Sequence, residues 1–180
     1  MKKQFAVLFA LVFALTFSVK AQSSADFSIP TDLQGVAGET VFVPVFVELN
    51  DVCNIDMYVD FDPAVLTFVG IANTALPGTI GNLDGGSVKV SWSAPAGSSL
   101  VGHFVDIQFT YHGGESVLAL DQNPLFEVND CTAGLVPINY TVSNGFISEA
   151  PPIPVPGWSI YLGFGLIVVF VAFGLGRKLM

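Results

Sequence analysis

Cys53-Asn54-Ile55-Asp56-Met57-Tyr58-Val59-Asp60-Phe61-Asp62 alternates apolar and polar side chains without a break. Ile55, Met57, Val59 and Phe61 fall on one parity; Asn54, Asp56, Tyr58, Asp60 and Asp62 fall on the other. A β-strand turns successive side chains to opposite faces, so the first set is expected to face a core and the second to face solvent. Ser87 to Ser93 repeats the pattern, with Val88, Val90 and Trp92 inward and Lys89 and Ser91 outward. Gly102 to Tyr111 does so through Val105, Ile107, Phe109 and Tyr111, and Thr40 to Leu49 is dense in Val and Phe. Shorter candidate strands are Asp26–Ile29, Leu66–Ile71, Ser116–Leu120, Leu135–Tyr140 and Thr141–Ser148.

Turn residues separate these runs at Asp62-Pro63, Pro77-Gly78, Asp84-Gly85-Gly86, Ala96-Gly97-Ser98, Gly113-Gly114 and Asn144-Gly145. Glycine supplies positive φ, proline fixes its own φ, and Asp or Asn folds back on the local backbone. About nine short strands, regular breakers and no internal helical period predict an all-β fold, a single antiparallel sandwich.

The two ends read differently. Lys2 and Lys3 precede an apolar run from Phe5 to Phe17, and Val19-Lys20-Ala21 follows. This is the pattern of a secretory signal, residues 1–21, cleaved between Ala21 and Gln22. At the other end Trp158 to Gly176 carries no charge and is followed at once by Arg177 and Lys178. A helix of that length is about 28 Å long, close to the hydrocarbon thickness of a bilayer. The expected organisation is therefore an exported domain over 22–149, a proline-rich stalk over 150–157, a membrane helix over 158–176 and a basic cytoplasmic tail over 177–180. Positive residues stay on the cytoplasmic side, which puts the domain outside, on the cell surface.

All fifteen acidic residues lie between Asp26 and Glu149, and Lys89 is the only lysine or arginine there. Fifteen acids against one base give that segment a net charge of −14. Such a surface repels phosphate backbones, which excludes nucleic acid as a partner. Cys53 and Cys131 are the only cysteines. An oxidising exterior favours a bond between them, and the spacing lacks the paired C-x-x-C of a zinc site.

Catalytic patterns are missing. His103 and His112 are the only histidines, and the sequence has no H-E-x-x-H, no G-x-S-x-G and no phosphate-binding glycine loop. Asp60 and Asp62 share a strand face, as a glycosidase pair or a calcium site would require, but Asp62 before Pro63 also suits a turn cap. The expectation is no enzyme, no metal and no cofactor.

Four motifs, in order, resemble the cohesin family. They are Ala37-Gly38-Glu39-Thr40-Val41-Phe42-Val43-Pro44-Val45; Asn54 to Leu66 with its Phe61-Asp62-Pro63 turn, then Val69-Gly70-Ile71; Gly102 to Phe109; and Gly145-Phe146-Ile147. The resemblance implies a nine-stranded antiparallel jelly-roll sandwich that binds a dockerin-type protein module through a polar sheet face. On the family pattern Asn54 and Asp56 contact hydroxyl groups of the partner, and Tyr58, Lys89, Ser91 and Gln108 complete the face. The alternative is a carbohydrate-binding or extracellular-matrix structural β-sandwich with a surface glycan as ligand, for which Tyr58 is the candidate stacking ring. The tail, with Pro154, Val155 and Pro156 before the apolar segment and Arg177-Lys178 after it, resembles an exosortase-type sorting signal. Such a signal implies an exosortase-like processing enzyme as a further partner; on length alone the segment serves equally as a permanent anchor.

Overall fold

The computed structural model describes residues 23–120, 125–131 and 135–151. The signal cleavage at Ala21 and Gln22, the Pro154-Val155-Pro156 motif, the apolar segment 158–176 and the basic tail lie outside the described residues. The described residues up to Glu149 form one compact unit. Among the described residues there are ten strands and no helix: β1 (Ser24–Ser28), β2 (Leu33–Gly35), β3 (Thr40–Asp60), β4 (Leu66–Ala72), β5 (Ile80–Asp84), β6 (Ser87–Tyr111), β7 (Ser116–Leu120), β8 (Glu127–Asp130), β9 (Tyr140–Ser143) and β10 (Gly145–Glu149).

Two long antiparallel strands organise the sandwich. The first part of β3 pairs with the end of β6, from Thr40 opposite Thr110 to Leu49 opposite Leu100, and the second part pairs with its start, from Asn54 opposite Ser93 to Val59 opposite Val88. The ladder shifts register between Leu49 and Asn54, where Asp51 sits at φ 53°. Aspartate is among the few side chains that accept this left-handed backbone. Each long strand thereby serves both layers. One layer is β9-β1-β3-β6-β4; the other is β8-β3-β6-β5, with β7 pairing the end of β3 and leading on to β10 and β2.

The inward parity fills the space between the layers. Ile55, Met57, Val59, Val88, Val90, Ile107 and Phe109 are all fully buried. Phe27 of β1 meets Phe126, beside β8, edge-on at 5.3 Å, and Phe61 meets Phe109 at 5.0 Å. Rings from opposite layers thus interlock at distances typical of favourable aromatic pairs. The pairing of Cys53 with Cys131 is present: the two form a disulfide that ties β3 to the residue after β8.

Several strand expectations change. Thr40–Leu49 and Cys53–Asp62 merge into one strand, which ends at Asp60 rather than Asp62, and Ser87–Ser93 and Gly102–Tyr111 merge into another. Ala96-Gly97-Ser98, expected as a turn, lies within β6, because register shifts let a long strand bend without ending. Leu135–Tyr140 is not a strand: only Pro137 bridges to Asn129 before β9 begins. A proline cannot donate to a ladder, which breaks the segment there. Thr141–Ser148 divides at Asn144, whose side chain accepts the Leu120 N–H at 2.9 Å; β9 joins β1 while β10 joins β7. The sandwich is not wholly antiparallel, since β1–β9 and β2–β10 run parallel, and the described residues form ten strands rather than nine.

Candidate recognition face

The outer side of β8-β3-β6-β5 gathers most of the polar residues singled out above. Antiparallel neighbours directly opposite one another share a face. Asn54 therefore lies between Ser93 and Asn129, and Asp56 between Ser91 and Glu127. Tyr58 lies beside Lys89, which is itself opposite Asn82 of β5, and Ile80 is opposite Ser91. These registers make a polar patch four strands wide, with Asn54 and Asp56 near its middle. Both are half-buried in the free protein.

Asp56 is held in place. Ser91 donates its hydroxyl to Asp56 Oδ1 at 2.5 Å, and Lys89 Nζ lies 3.3 Å from the same oxygen. The ammonium also lies 5.5 Å from the centre of the Tyr58 ring. Burial works against the charge on Lys89, but the neighbouring Tyr58 and the Asp56 carboxylate outweigh it and hold the Lys89 pKa above its ordinary value. Lys89 balances Asp56, while Glu127 and Asp84 on the flanking strands are exposed carboxylates. The face is acidic at its edges and charge-paired at its centre. It offers an acceptor at Asp56, an amide at Asn54 and a cation at Lys89, a set suited to hydroxyl and amide groups of a docked surface.

Two candidates depart from expectation. Tyr58 shares the outward parity but is only 3% exposed, covered by Lys89 and donating its hydroxyl to Asp84 Oδ2 at 3.4 Å. Strand period gives the side on which a ring lies; it cannot show that side chains from other strands, Lys89 of β6 and Asp84 of β5, close over it. Tyr58 is thus no open stacking ring, which removes the basis for a glycan platform there. Gln108 lies in the late part of β6, opposite Phe42 and Gly70, in the other layer. The structure brings together Asn54, Asp56, Tyr58, Lys89 and Ser91, and leaves Gln108 apart.

Several other titratable residues are structurally engaged. Ala64 N–H donates to Asp62 Oδ1 at 2.8 Å, the turn-capping geometry, and Ser87 donates to Asp60. His103 shares a hydrogen bond of 2.8 Å with Asp106, and His112 one of 2.8 Å with Thr67. Among the described residues no three His, Cys, Asp or Glu side chains cluster as metal ligands would.

Sequence reading missed the flanking strands, and with them Asn82, Asp84, Glu127 and Asn129. A signal for β5 was present: Gly85 and Gly86 both have positive φ and form the two-residue turn of a β5–β6 hairpin. Asp84-Gly85-Gly86 marked a break but also foretold a partner strand before it.

Solved structures share this architecture. The cohesin CaCohA2 of Clostridium acetobutylicum matches with a TM-score of 0.59 at 23% identity, over 77% of this chain and 98% of that one. A non-cellulosomal cohesin from the archaeon Archaeoglobus fulgidus gives a TM-score of 0.59 at 16% identity, over 71% and 92%. A chain of the type I cohesin–dockerin complex Coh-OlpA–Doc918 of Clostridium thermocellum gives 0.59 at 12% identity, over 71% and 99%. No protein-family model and no curated protein sequence matches the chain. At these identities the likeness establishes the fold: an all-β sandwich of the cohesin type.

Proposed function

We propose that this chain is an exported, non-catalytic recognition module that docks a dockerin-type protein module on the outer face of β8-β3-β6-β5. The observation that carries the reading is the placement of Asn54 and Asp56 at the centre of that face, with Asp56 fixed by Ser91 and Lys89. A carboxylate already oriented by two donors loses little rotamer freedom when a partner's hydroxyl or amide approaches it. The fold supports the same reading, because a sandwich of this kind occurs in complex with a dockerin in Coh-OlpA–Doc918.

Export is supported by the basic start, the apolar run Phe5 to Phe17 and the Val19-Lys20-Ala21 exit. Tethering is supported by the uncharged stretch from Trp158 to Gly176 ahead of Arg177 and Lys178. The prolines between Ala150 and Pro156 favour an extended spacer of about 3.1 Å per residue between domain and membrane. Polysaccharide degradation is the process such docking would serve. The test is calorimetric titration of the chain with dockerin-type modules encoded by the same genome, beside the Asn54→Ala/Asp56→Ala variant. Saturable binding that the variant loses supports the reading; no binding by any module refutes it.

A further inference from the structure

The outward side of the opposite layer carries a second, different surface. Phe42, Pro44 and Phe46 alternate along β3 with the buried Val43, Val45 and Val47, so all three face outward. Phe42 is 49% exposed and Phe46 39%. Four residues separate the two rings along the strand, about 13 Å at strand rise. Directly opposite on β6 stand three polar partners: Gln108 faces Phe42, Asp106 faces Pro44, and His103 faces Phe46. Asp106 is fixed by Asn73, which donates to its Oδ2 at 2.6 Å, and by His103 at Oδ1. His103 in turn meets the Phe46 ring edge-on at 6.0 Å. Beyond Gln108, Gly70 has no side chain, and a Cβ built there would touch nothing within 4 Å.

The strip is long and one strand wide. Neighbouring strands lie about 4.8 Å apart, so an apolar row about 13 Å long and one strand wide covers far less than the roughly 800 Å² per partner of a stable protein–protein contact. Charge narrows the occupant further. Asp26, Glu48 and Asp106 surround the row, and Lys89, the only lysine or arginine of the domain, belongs to the other layer. Anionic polymers are therefore repelled. A linear polymer with apolar ring faces and hydroxyl edges matches both rows at once: its C–H faces lie on the Phe and Pro rings while its hydroxyls meet amide, carboxylate and imidazole. We propose that Phe42, Pro44 and Phe46, with Gln108, Asp106 and His103, form a binding strip for an uncharged, linear polysaccharide. The strip is separate from the recognition face, so protein docking and glycan binding are independent.

Native affinity electrophoresis of the purified full-length chain tests this, in gels carrying mixed-linkage β-glucan, xylan or galactomannan, with alginate as the anionic control. The expected result is retardation by at least one neutral polymer and none by alginate. Phe42→Ala/Phe46→Ala should weaken it about tenfold, the scale of two lost aromatic contacts. Both rings are exposed, so the variant should keep its melting temperature. Gly70→Leu, which fills the open space beside Gln108, should weaken binding as well. Asn54→Ala/Asp56→Ala should leave it unchanged. The proposal is overturned if no neutral polymer retards the wild type, if alginate does, or if the double phenylalanine variant binds like wild type. Self-association that is lost in that variant would assign the strip to a second copy of the chain and also overturn it.

Discussion

The Lys89 ammonium stands 3.3 Å from Asp56 Oδ1, joining the only lysine or arginine between Asp26 and Glu149 to a central carboxylate of the candidate recognition face. Both side chains are about a quarter exposed, so the pair is screened by solvent. Lys89→Met should therefore cost only about 0.5 kcal/mol of stability. Its larger effect should be electrostatic: Asp56 is left unbalanced among Glu127 and Asp84, and association with a basic partner should become faster and more salt-dependent. Urea titration and stopped-flow association at two salt concentrations check both parts.

The disulfide closes a sequence separation of 78 residues and fastens the edge strand β8 beside Asn54. In the chain-entropy model a loop of that size contributes about 4 kcal/mol. Cys53→Ser/Cys131→Ser should lower stability on that scale, read by denaturant unfolding. Amide exchange should show the greatest loss of protection in β8, which is only four residues long and rests on β3.

Tyr111 is fully buried, with its hydroxyl donating to the Gly114 carbonyl at 2.6 Å. Burial raises its pKa, and the Glu149 and Glu115 charges add to the rise. A raised pKa means that the folded state holds the proton more tightly than the unfolded state. This stabilisation is complete below the unfolded value of about 10 and is lost as pH climbs through the folded value. Lys89 acts in the same direction from 10.5. Stability should fall as pH rises above about 10. Tyr111→Phe should flatten that fall at a cost near neutrality of about 1 kcal/mol for the lost hydrogen bond. Urea midpoints across the alkaline range decide the matter.

Gly35 lies against the same ring: a Cβ there would come within 2.6 Å of Tyr111. Gly35→Ala should therefore destabilise by about 1–3 kcal/mol through overpacking, measurable by thermal unfolding.

The fold was legible wherever one strand face was buried. The alternation from Asn54 to Asp62 and from Ser87 to Ser93 placed Ile55, Met57, Val88 and Val90 in the core, where they are. Edge strands were not legible in the same way. β5 is exposed on both sides, with Ile80 62% and Leu83 54% exposed, so its sequence carries no inward–outward contrast. β8 is too short to show a period. Parity likewise put Tyr58 on the correct side of β3, yet its burial depends on Lys89 and Asp84 from other strands. Gln108 had the right parity on the wrong layer, because a strand that serves two layers has two outer faces and local sequence does not say where it crosses over.

The central claim is that Asn54 and Asp56 dock a dockerin-type module, and calorimetric titration of the full-length chain with such modules from the same genome tests it most directly. Wild-type chain should bind one of them saturably. Asn54→Ala/Asp56→Ala should weaken binding by about thirtyfold or more, a loss of about 2 kcal/mol typical of a central contact, with circular dichroism and melting temperature little changed. Equal affinity in wild type and variant, or no binding by any such module, would contradict the account.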